Sequence, residues 1–167
     1  MPTLGNSLLL DTSVVVKHFR DPTAIVDKLA DYEELYLPQP ALGELYYGAY
    51  RTDRLETRLA QIERFLDAVD LLTPDKETCV FYGQIAAELA LAGTPIPQND
   101  LWIAALARQT GLPVATSDDH FDRVSNLAVF ERIRSASARG SGLQRWSDHR
   151  RWRSGDATHR AGYSCGD

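Results

Sequence analysis

A short, continuous apolar run near the start of the chain limits the possible folds more than any other feature. Ser7-Leu8-Leu9-Leu10 leads directly into Asp11-Thr12-Ser13. A run without polar alternation is typical of a strand that is buried on both faces, as in parallel sheets covered by helices. The sequence therefore predicts a buried strand that stops at a polar loop beginning with Asp11.

The next hundred or so residues alternate between helical and strand-like patterns. Helices are predicted at about 22–30, 40–50, 55–68, 75–92 and 100–111, and short strands at 35–37, 69–72, 113–116 and 127–130. Strands separated by helices or helix pairs indicate an α/β fold with a central, mostly parallel sheet. A chain of 167 residues with 44% apolar residues can bury a substantial core. We assign this single domain to residues 1–133.

Residues 134–167 differ in composition from the rest of the chain. Seven Arg and three Asp give this segment a charge of +4, which leaves −9 for residues 1–133 out of the total of −5. The Arg-, Ser- and Gly-rich composition is typical of a disordered tail. The alternative is a basic arm that contacts nucleic acid, with Trp146 and Trp152 stacking on bases. A net charge of −9 on residues 1–133 argues against a nonspecific nucleic-acid binder, because such proteins bind phosphates through Lys and Arg. It is compatible with an enzyme that contacts phosphates through a bound metal ion.

The sequence gives no sign of a membrane or secreted protein. No apolar run approaches the roughly 18 to 20 residues that span a bilayer. Residues 1–6 lack a basic patch ahead of an apolar segment, so a secretory signal is not expected. Cys79 and Cys165 have no metal-ligand spacing and imply no disulfide framework. We expect a cytoplasmic protein.

Four acidic residues occupy positions from which side chains can reach a shared pocket. Asp11 and Asp118 each follow a predicted strand, and ligands of open parallel sheets bind outside the carboxyl ends of strands. Glu44 lies among apolar residues of a helix, where an acid needs a partner or a cation. Asp100 stands at the head of an apolar helix. Taken singly, the three Asp residues also fit helix caps or turns, and Asn99-Asp100 is an ordinary capping signal.

Carboxylates that converge in a poorly solvated pocket repel one another unless a cation lies among them. Oxygen ligands without His or Cys suit Mg²⁺ or Mn²⁺ better than zinc. Such a site usually serves phosphate substrates. The acids alone therefore predict a divalent-metal site that serves a phosphate substrate.

The motifs that carry these acids resemble those of a known family. They are Leu-Leu-Leu-Asp-Thr-Ser (8–13), Ala-Leu-Gly-Glu-Leu (41–45), Asn-Asp-Leu-Trp-Ile-Ala-Ala (99–105) and Thr-Ser-Asp-Asp-His-Phe (116–121). In this order they resemble PIN-domain ribonucleases, and among those the VapC-type toxins of bacterial toxin–antitoxin pairs, over about residues 7–133. The resemblance implies a three-layer α/β/α fold, Mg²⁺ or Mn²⁺ dependence and endonuclease activity on single-stranded RNA. It also implies a homodimer and inhibition by a cognate antitoxin protein.

The resemblance assigns roles to particular residues. Asp11, Glu44, Asp100 and Asp118 match the acids of the metal site, and Thr116 matches a hydroxyl that helps to order water there. Thr12 or Ser13 fits a supporting role beside the ligands. The adjacent Asp119 would take the position of Asp118 if the motif were aligned one residue later. Asp118 is preferred because it stands two residues after Thr116, with His120 and Phe121 following at the matching distance.

Several interpretations stay open at this stage. His120 fits a structural or capping role, or a phosphate contact or general acid. The helix stripe at 55, 59, 62 and 65 fits the core, or a groove for a partner helix. Basic residues near Asp11 and Glu44 form either a rim that guides a phosphate chain or ordinary solvated helix faces; they are Lys17, His18, Arg20, Arg51, Arg54 and Arg58.

Other functions are weaker matches or remain as alternatives. A dehalogenase-type phosphatase needs a second Asp two residues after the first, where this chain has Ser13, and no P-loop motif is present. A PIN-like domain that binds RNA or a partner without cleaving RNA is the main alternative from another class. A PIN nuclease that processes RNA without being a toxin is the other.

Overall fold

The computed structural model describes residues 6–130, apart from the side chains at 24, 26 and 27. Five parallel strands form one sheet in the order β3-β2-β1-β4-β5. The strands are β1 (Ser7–Leu10), β2 (Glu34–Pro38), β3 (Asp70–Leu72), β4 (Val114–Ala115) and β5 (Val129–Phe130). The predicted α/β fold with a parallel central sheet is confirmed.

Helices connect the strands and cover the sheet, which gives a three-layer α/β/α architecture. The helices are α1 (Thr12–Arg20), α2 (Thr23–Leu29), α3 (Gln39–Tyr50), α4 (Leu55–Leu66), α5 (Lys76–Leu91) and α6 (Gln98–Thr110), with a 3₁₀ helix at His120–Arg123. Helix pairs link β1 to β2, β2 to β3 and β3 to β4. The link from β4 to β5 is shorter and contains only the 3₁₀ helix.

Strand β1 lies at the centre of the sheet and of the core. Leu8, Leu9 and Leu10 are all fully buried, as expected for a strand covered on both faces. β1 pairs with β2 on one side and with β4 on the other. Strands β1, β2 and β3 thus form one side of the sheet in sequence order, and β4 and β5 lie on the other side of β1. In such sheets the crevice at the carboxyl ends of the two central strands is the usual binding position.

The residues after β1 form a helix instead of the predicted polar loop. Asp11 has an extended backbone and serves as the N-cap of α1, which begins at Thr12. Val14 and Val15 are buried, so the helix packs an apolar side against the core. The basic residues of its last turn, Lys17 and Arg20 among them, lie where the helix dipole favours positive charge. The loop prediction at this position is wrong.

Helix α6 starts two residues earlier than expected. Pro97 occupies its N-cap position and has no side-chain capping hydrogen bond, so Asp100 lies inside the first turn. Interpreting Asn99-Asp100 as a capping signal is therefore wrong. The helix ends at Gly111, whose φ of 72° is the left-handed conformation that glycine adopts readily.

The α4 stripe is part of the core. Ile62 and Phe65 are buried, and Leu55 and Leu59 pack against the same cluster of buried residues. This confirms the core interpretation of the stripe. Within residues 6–130, no helix is long and apolar enough to cross a membrane. The predicted basic tail at 134–167 lies outside the described residues.

Candidate active site

Asp11 lies at the carboxyl end of β1 and is almost completely buried, with 2% of its surface exposed. Its backbone N–H donates to the Ala115 carbonyl at 3.0 Å, which ties it to β4. Its Oδ2 atom accepts hydrogen bonds from the Ser13 hydroxyl at 2.6 Å and from the Thr116 hydroxyl at 2.8 Å. Two neutral donors that are far apart in the sequence therefore fix this carboxylate in place.

Burial is the largest cause that raises the pKa of Asp11 above its ordinary value of 3.8. The hydrogen bonds from Ser13 and Thr116 oppose that rise, and the negative charge of Asp118 adds to it. A buried carboxylate with a second carboxylate nearby is an environment that a cation would stabilise.

Glu44 lies on α3, and its side chain is half-buried next to the first residue of α1. The Thr12 hydroxyl donates to its Oε2 atom, and the Asn99 side-chain amide donates to Oε1 at 2.8 Å. Thr12 follows β1 and Asn99 stands in the first turn of α6, so Glu44 joins three elements of the fold. The expectation that an acid on this helix needs partners is confirmed.

Asp100 lies in the first turn of α6 and is 8% exposed. Its Oδ2 atom is 2.8 Å from Nδ1 of His120. Burial first, and then the negative charges of Asp11 and Glu44, raise the pKa of Asp100 to about 6, although the contact with His120 lowers it. Asp100 is therefore close enough to Asp11 and Glu44 for their negative charges to interact with its own.

Asp118 is exposed, at the mouth of the site. Its backbone N–H donates to the Thr116 hydroxyl at 3.0 Å, so Thr116 links it to Asp11. Asp118 is the acid whose charge raises the pKa of Asp11. Asp119, also exposed, instead occupies the N-cap position of the 3₁₀ helix without a side-chain capping bond. These contacts agree with the preference for Asp118.

The Ser13 hydroxyl lies between the hydroxyls of Thr116 and Ser117, next to the Asp11 carboxylate. Besides Asp11, it contacts Ser117, whose backbone N–H and hydroxyl lie 3.0 Å and 3.1 Å from the Ser13 hydroxyl oxygen. Both supporting candidates named from the sequence are thus in contact with acids, Ser13 with Asp11 and Thr12 with Glu44. Ser117 and Asn99 were missed, although both stand beside acids within the quoted motifs.

The four predicted acids thus gather around the carboxyl ends of β1 and β4 and act on one another electrostatically. The carboxylates of Asp11, Glu44 and Asp100 each have their own hydrogen-bond partners, and Asp118 is held through its backbone N–H. Across residues 6–130, no group of three or more His, Cys, Asp or Glu side chains is already arranged so that it could hold a metal ion. The donors themselves, four carboxylates beside hydroxyl and amide oxygens, are the kind that Mg²⁺ and Mn²⁺ prefer. The residues present fit a hard divalent ion.

A cleft of about 190 Å³ between α1, α3 and α4 opens beside the acids. Glu44 lines one part of it, Arg20 and Arg58 supply positive charge, and the rest of the wall is mostly apolar. Arg51 is engaged elsewhere, because its guanidinium lies 5.4 Å from the centre of the Tyr47 ring and donates to its hydroxyl at 3.3 Å. Of the six basic residues named from the sequence, Arg20 and Arg58 line this cleft, where Arg58 also donates to Gln61 Oε1 at 2.9 Å, and a rim that guides a phosphate chain stays a prediction.

Comparison with known proteins agrees with this fold and site. Residues 8–127 match the PIN domain family. The match covers well over half of the chain and includes all four acids, so the chain belongs to the PIN-domain family.

Its relatives within that family are VapC ribonucleases. The chain is 34% identical over 122 residues to the tRNA(fMet)-specific endonuclease VapC of Shigella flexneri, covering 71% of this chain and 92% of that protein. It is 33% identical over 138 residues to ribonuclease VapC5 of Mycobacterium tuberculosis, covering 80% and 99%. The crystal structure of DNA-bound VapBC from Salmonella typhimurium superposes with a TM-score of 0.71 at 30% identity, covering 75% and 97%. PIN-domain nucleases of the VapC kind generally depend on divalent metal ions.

Proposed function

We propose that this chain is a metal-dependent endoribonuclease that acts as the toxin of a toxin–antitoxin pair. The observation that carries the proposal is that Asp11 and Asp100 interact electrostatically with each other and with Asp118 and Glu44, near the carboxyl ends of β1 and β4. Two of these carboxylates are buried and have raised pKa values. Perturbed carboxylates at the switch point of a parallel sheet are typical of a functional site.

Asp11, Glu44, Asp100 and Asp118 would hold the ion, with Mg²⁺ or Mn²⁺ as the species that suits these oxygens. When bound, the ion supplies positive charge that offsets the charge of the phosphate and activates water. The protein contributes position. Thr116 and Ser13 hold the Asp11 carboxylate at fixed distances, so it does not have to reorganise when substrate arrives.

The substrate would enter from the side of Asp118, because Asp118 is exposed whereas Asp11 is not. The cleft beside Glu44 offers positive charge from Arg20 and Arg58 for the neighbouring RNA backbone. Because related proteins are named ribonucleases, RNA is the substrate class that we assign. This hydrolysis requires no Ser, Cys or His nucleophile, because water supplies the attacking oxygen.

The partners follow from the same comparisons. VapBC structures contain the toxin together with its antitoxin, and we assign a cognate antitoxin protein to this chain. We also propose a homodimer and a cytoplasmic location, where RNA and antitoxin are both present.

A cleavage assay tests the proposal. The full-length wild-type chain, freed of antitoxin, is incubated with RNA in Mg²⁺ or Mn²⁺ and, in parallel, with excess EDTA. We expect cleavage that EDTA abolishes and that Asp11→Asn abolishes without loss of the fold, as judged by circular dichroism. Asp31→Asn is the matched control, because Asp31 is exposed and precedes the amino end of β2, whereas the candidate site lies at the carboxyl ends of β1 and β4.

The outcomes separate the candidate functions. Wild-type rates in Asp11→Asn would exclude the proposed role of that residue. RNA binding without cleavage under every metal condition would favour the alternative of a PIN-like binding domain. Metal-dependent cleavage without any effect on growth when the chain is expressed would favour an RNA-processing nuclease over a toxin.

A further inference from the structure

His120 stands at the start of a short, firmly anchored turn. It is the first residue of the 3₁₀ helix, and the next residue, Phe121, is fully buried in the core. Arg123 at the other end of the turn donates to the Pro95 carbonyl at 3.2 Å. Two anchors therefore hold this turn against the body of the domain without help from His120.

The imidazole ring is directed at a proposed metal ligand. Its Nδ1 atom is 2.8 Å from Oδ2 of Asp100, and 34% of the His120 side chain is exposed against 11% of the Asp100 side chain. An ionised carboxylate can only accept a hydrogen bond, so Nδ1 carries the hydrogen. The contact thus fixes which ring nitrogen is protonated and leaves the other one away from Asp100.

Two structural explanations of this contact are weak. Asp100 does not cap α6, whose N-cap position is Pro97, so His120 does not support a cap. The turn is already anchored by Phe121 and Arg123, so the contact is not needed to hold it. The contact instead engages the Asp100 carboxylate itself, on which the like charges of Asp11 and Glu44 act unfavourably.

We propose that His120 is a positioning residue for metal binding, whose Nδ1–H group holds the Asp100 carboxylate facing Asp11 and Glu44. The inference rests on the proposed function, because it takes Asp100 as a ligand. Outer partners that orient ligating side chains commonly change metal affinity by about 10- to 100-fold when they are removed. The same arrangement occurs at Glu44, which Asn99 holds through its amide.

Isosteric substitutions separate a positioning role from a merely structural one. In His120→Asn the side-chain amide nitrogen takes the place of Nδ1 and can still donate to Asp100. In His120→Gln the amide nitrogen takes the place of Nε2, and in His120→Ala there is no donor. The Asn and Gln variants are both polar, so a difference between them reports on the position of the donor.

The readout is Mn²⁺ binding to the full-length chain at pH 7.5 without RNA, measured by titration calorimetry, with thermal melting in EDTA as the check of the fold. We expect His120→Ala and His120→Gln to raise the Kd for Mn²⁺ by about tenfold, and His120→Asn to stay within about threefold of wild type. In cleavage assays, raising Mn²⁺ should restore most of the lost rate of the Gln variant.

Three results would overturn the inference: wild-type affinity in His120→Ala, equal losses in the Asn and Ala variants, or a Gln variant as good as the Asn variant. If the Ala variant does not fold, the Asn and Gln pair decides the question. A wild-type chain that neither binds Mn²⁺ nor cleaves RNA would instead refute the proposed function. A wild-type chain that does both, alongside a fully active Ala variant with unchanged affinity, would refute only the role of His120.

Discussion

Asp100→Asn should stabilise the metal-free protein while impairing the enzyme. In the unfolded chain Asp100 ionises at its ordinary pKa of 3.8, whereas burial in the folded protein raises that pKa to about 6. Between these values the folded state binds the proton more tightly than the unfolded state does. The stability contributed by the protonated form is therefore lost as the pH rises through this window. Asparagine has the same shape, keeps an oxygen for the His120 contact and carries no charge.

The size of the effect follows from the two pKa values. A rise from 3.8 to about 6 corresponds to about 3 kcal/mol of lost stability at pH 7.5 and to about half of that at pH 5. The figure already includes the favourable contact with His120, because that contact keeps the pKa of Asp100 below the value that burial and its acidic neighbours would set. For a domain of this size, about 3 kcal/mol corresponds to a shift in Tm of roughly 6–12 °C.

Urea unfolding in EDTA, followed by circular dichroism at pH 5 and pH 7.5, measures the difference. We expect Asp100→Asn to exceed wild type in unfolding free energy at both pH values, with the larger gain at pH 7.5. The exposed Asp31→Asn variant is the matched control and should change stability little. An Asp100→Asn variant that is less stable than wild type at pH 7.5, or a gain that is larger at pH 5, would refute the reasoning.

Three further predictions concern the same network. Millimolar Mg²⁺ or Mn²⁺ should raise the Tm of the wild-type chain, because an ion that binds only the folded state stabilises it, and an unchanged melting curve would argue against a formed site. Thr116→Val removes a donor from the buried Asp11 carboxylate and should lower the unfolding free energy by about 1–3 kcal/mol in urea titrations, whereas Thr116→Ser should retain most of it. Asn99→Leu removes the amide that holds Glu44, so half-maximal RNA cleavage should require more Mn²⁺; an unaltered Mn²⁺ requirement would contradict this role.

The alternation of elements was predictable because apolar runs and helical periodicity are local properties of the chain. The Leu8-Leu9-Leu10 run is buried throughout, as a central parallel strand must be. Helix α1 was not predictable in the same way. Val14, Val15 and Val16 are β-branched, and this type of residue favours strands over helices locally. The helix forms there because Asp11 caps it and because two of these valines are buried against the core.

The acids of the site were predictable from where they stand relative to strands and helices. Ser13, Thr12 and Thr116 were named beside them through the family resemblance, but the contacts of Asn99 and His120 were not predictable, since these depend on side-chain directions that no local pattern contains. His120 is twenty residues from Asp100 and meets it only because the 3₁₀ turn packs beside the start of α6. Asn99 and Glu44 are separated by 55 residues and belong to different helices. The motifs therefore located the carboxylates and the nearby hydroxyls, but not the roles of Asn99 and His120.

The position of β4 beside β1 has a consequence for how such a protein is made. The Thr116 hydroxyl donates to Asp11, which lies 105 residues earlier in the sequence. The acidic site is therefore incomplete until β4 and Thr116 have left the ribosome and β4 has paired with β1. Contacts between such distant segments form slowly, because a long loop must close first. A partly synthesised chain should thus be harmless to the cell's RNA, and the hazard begins only when the last central strand is in place.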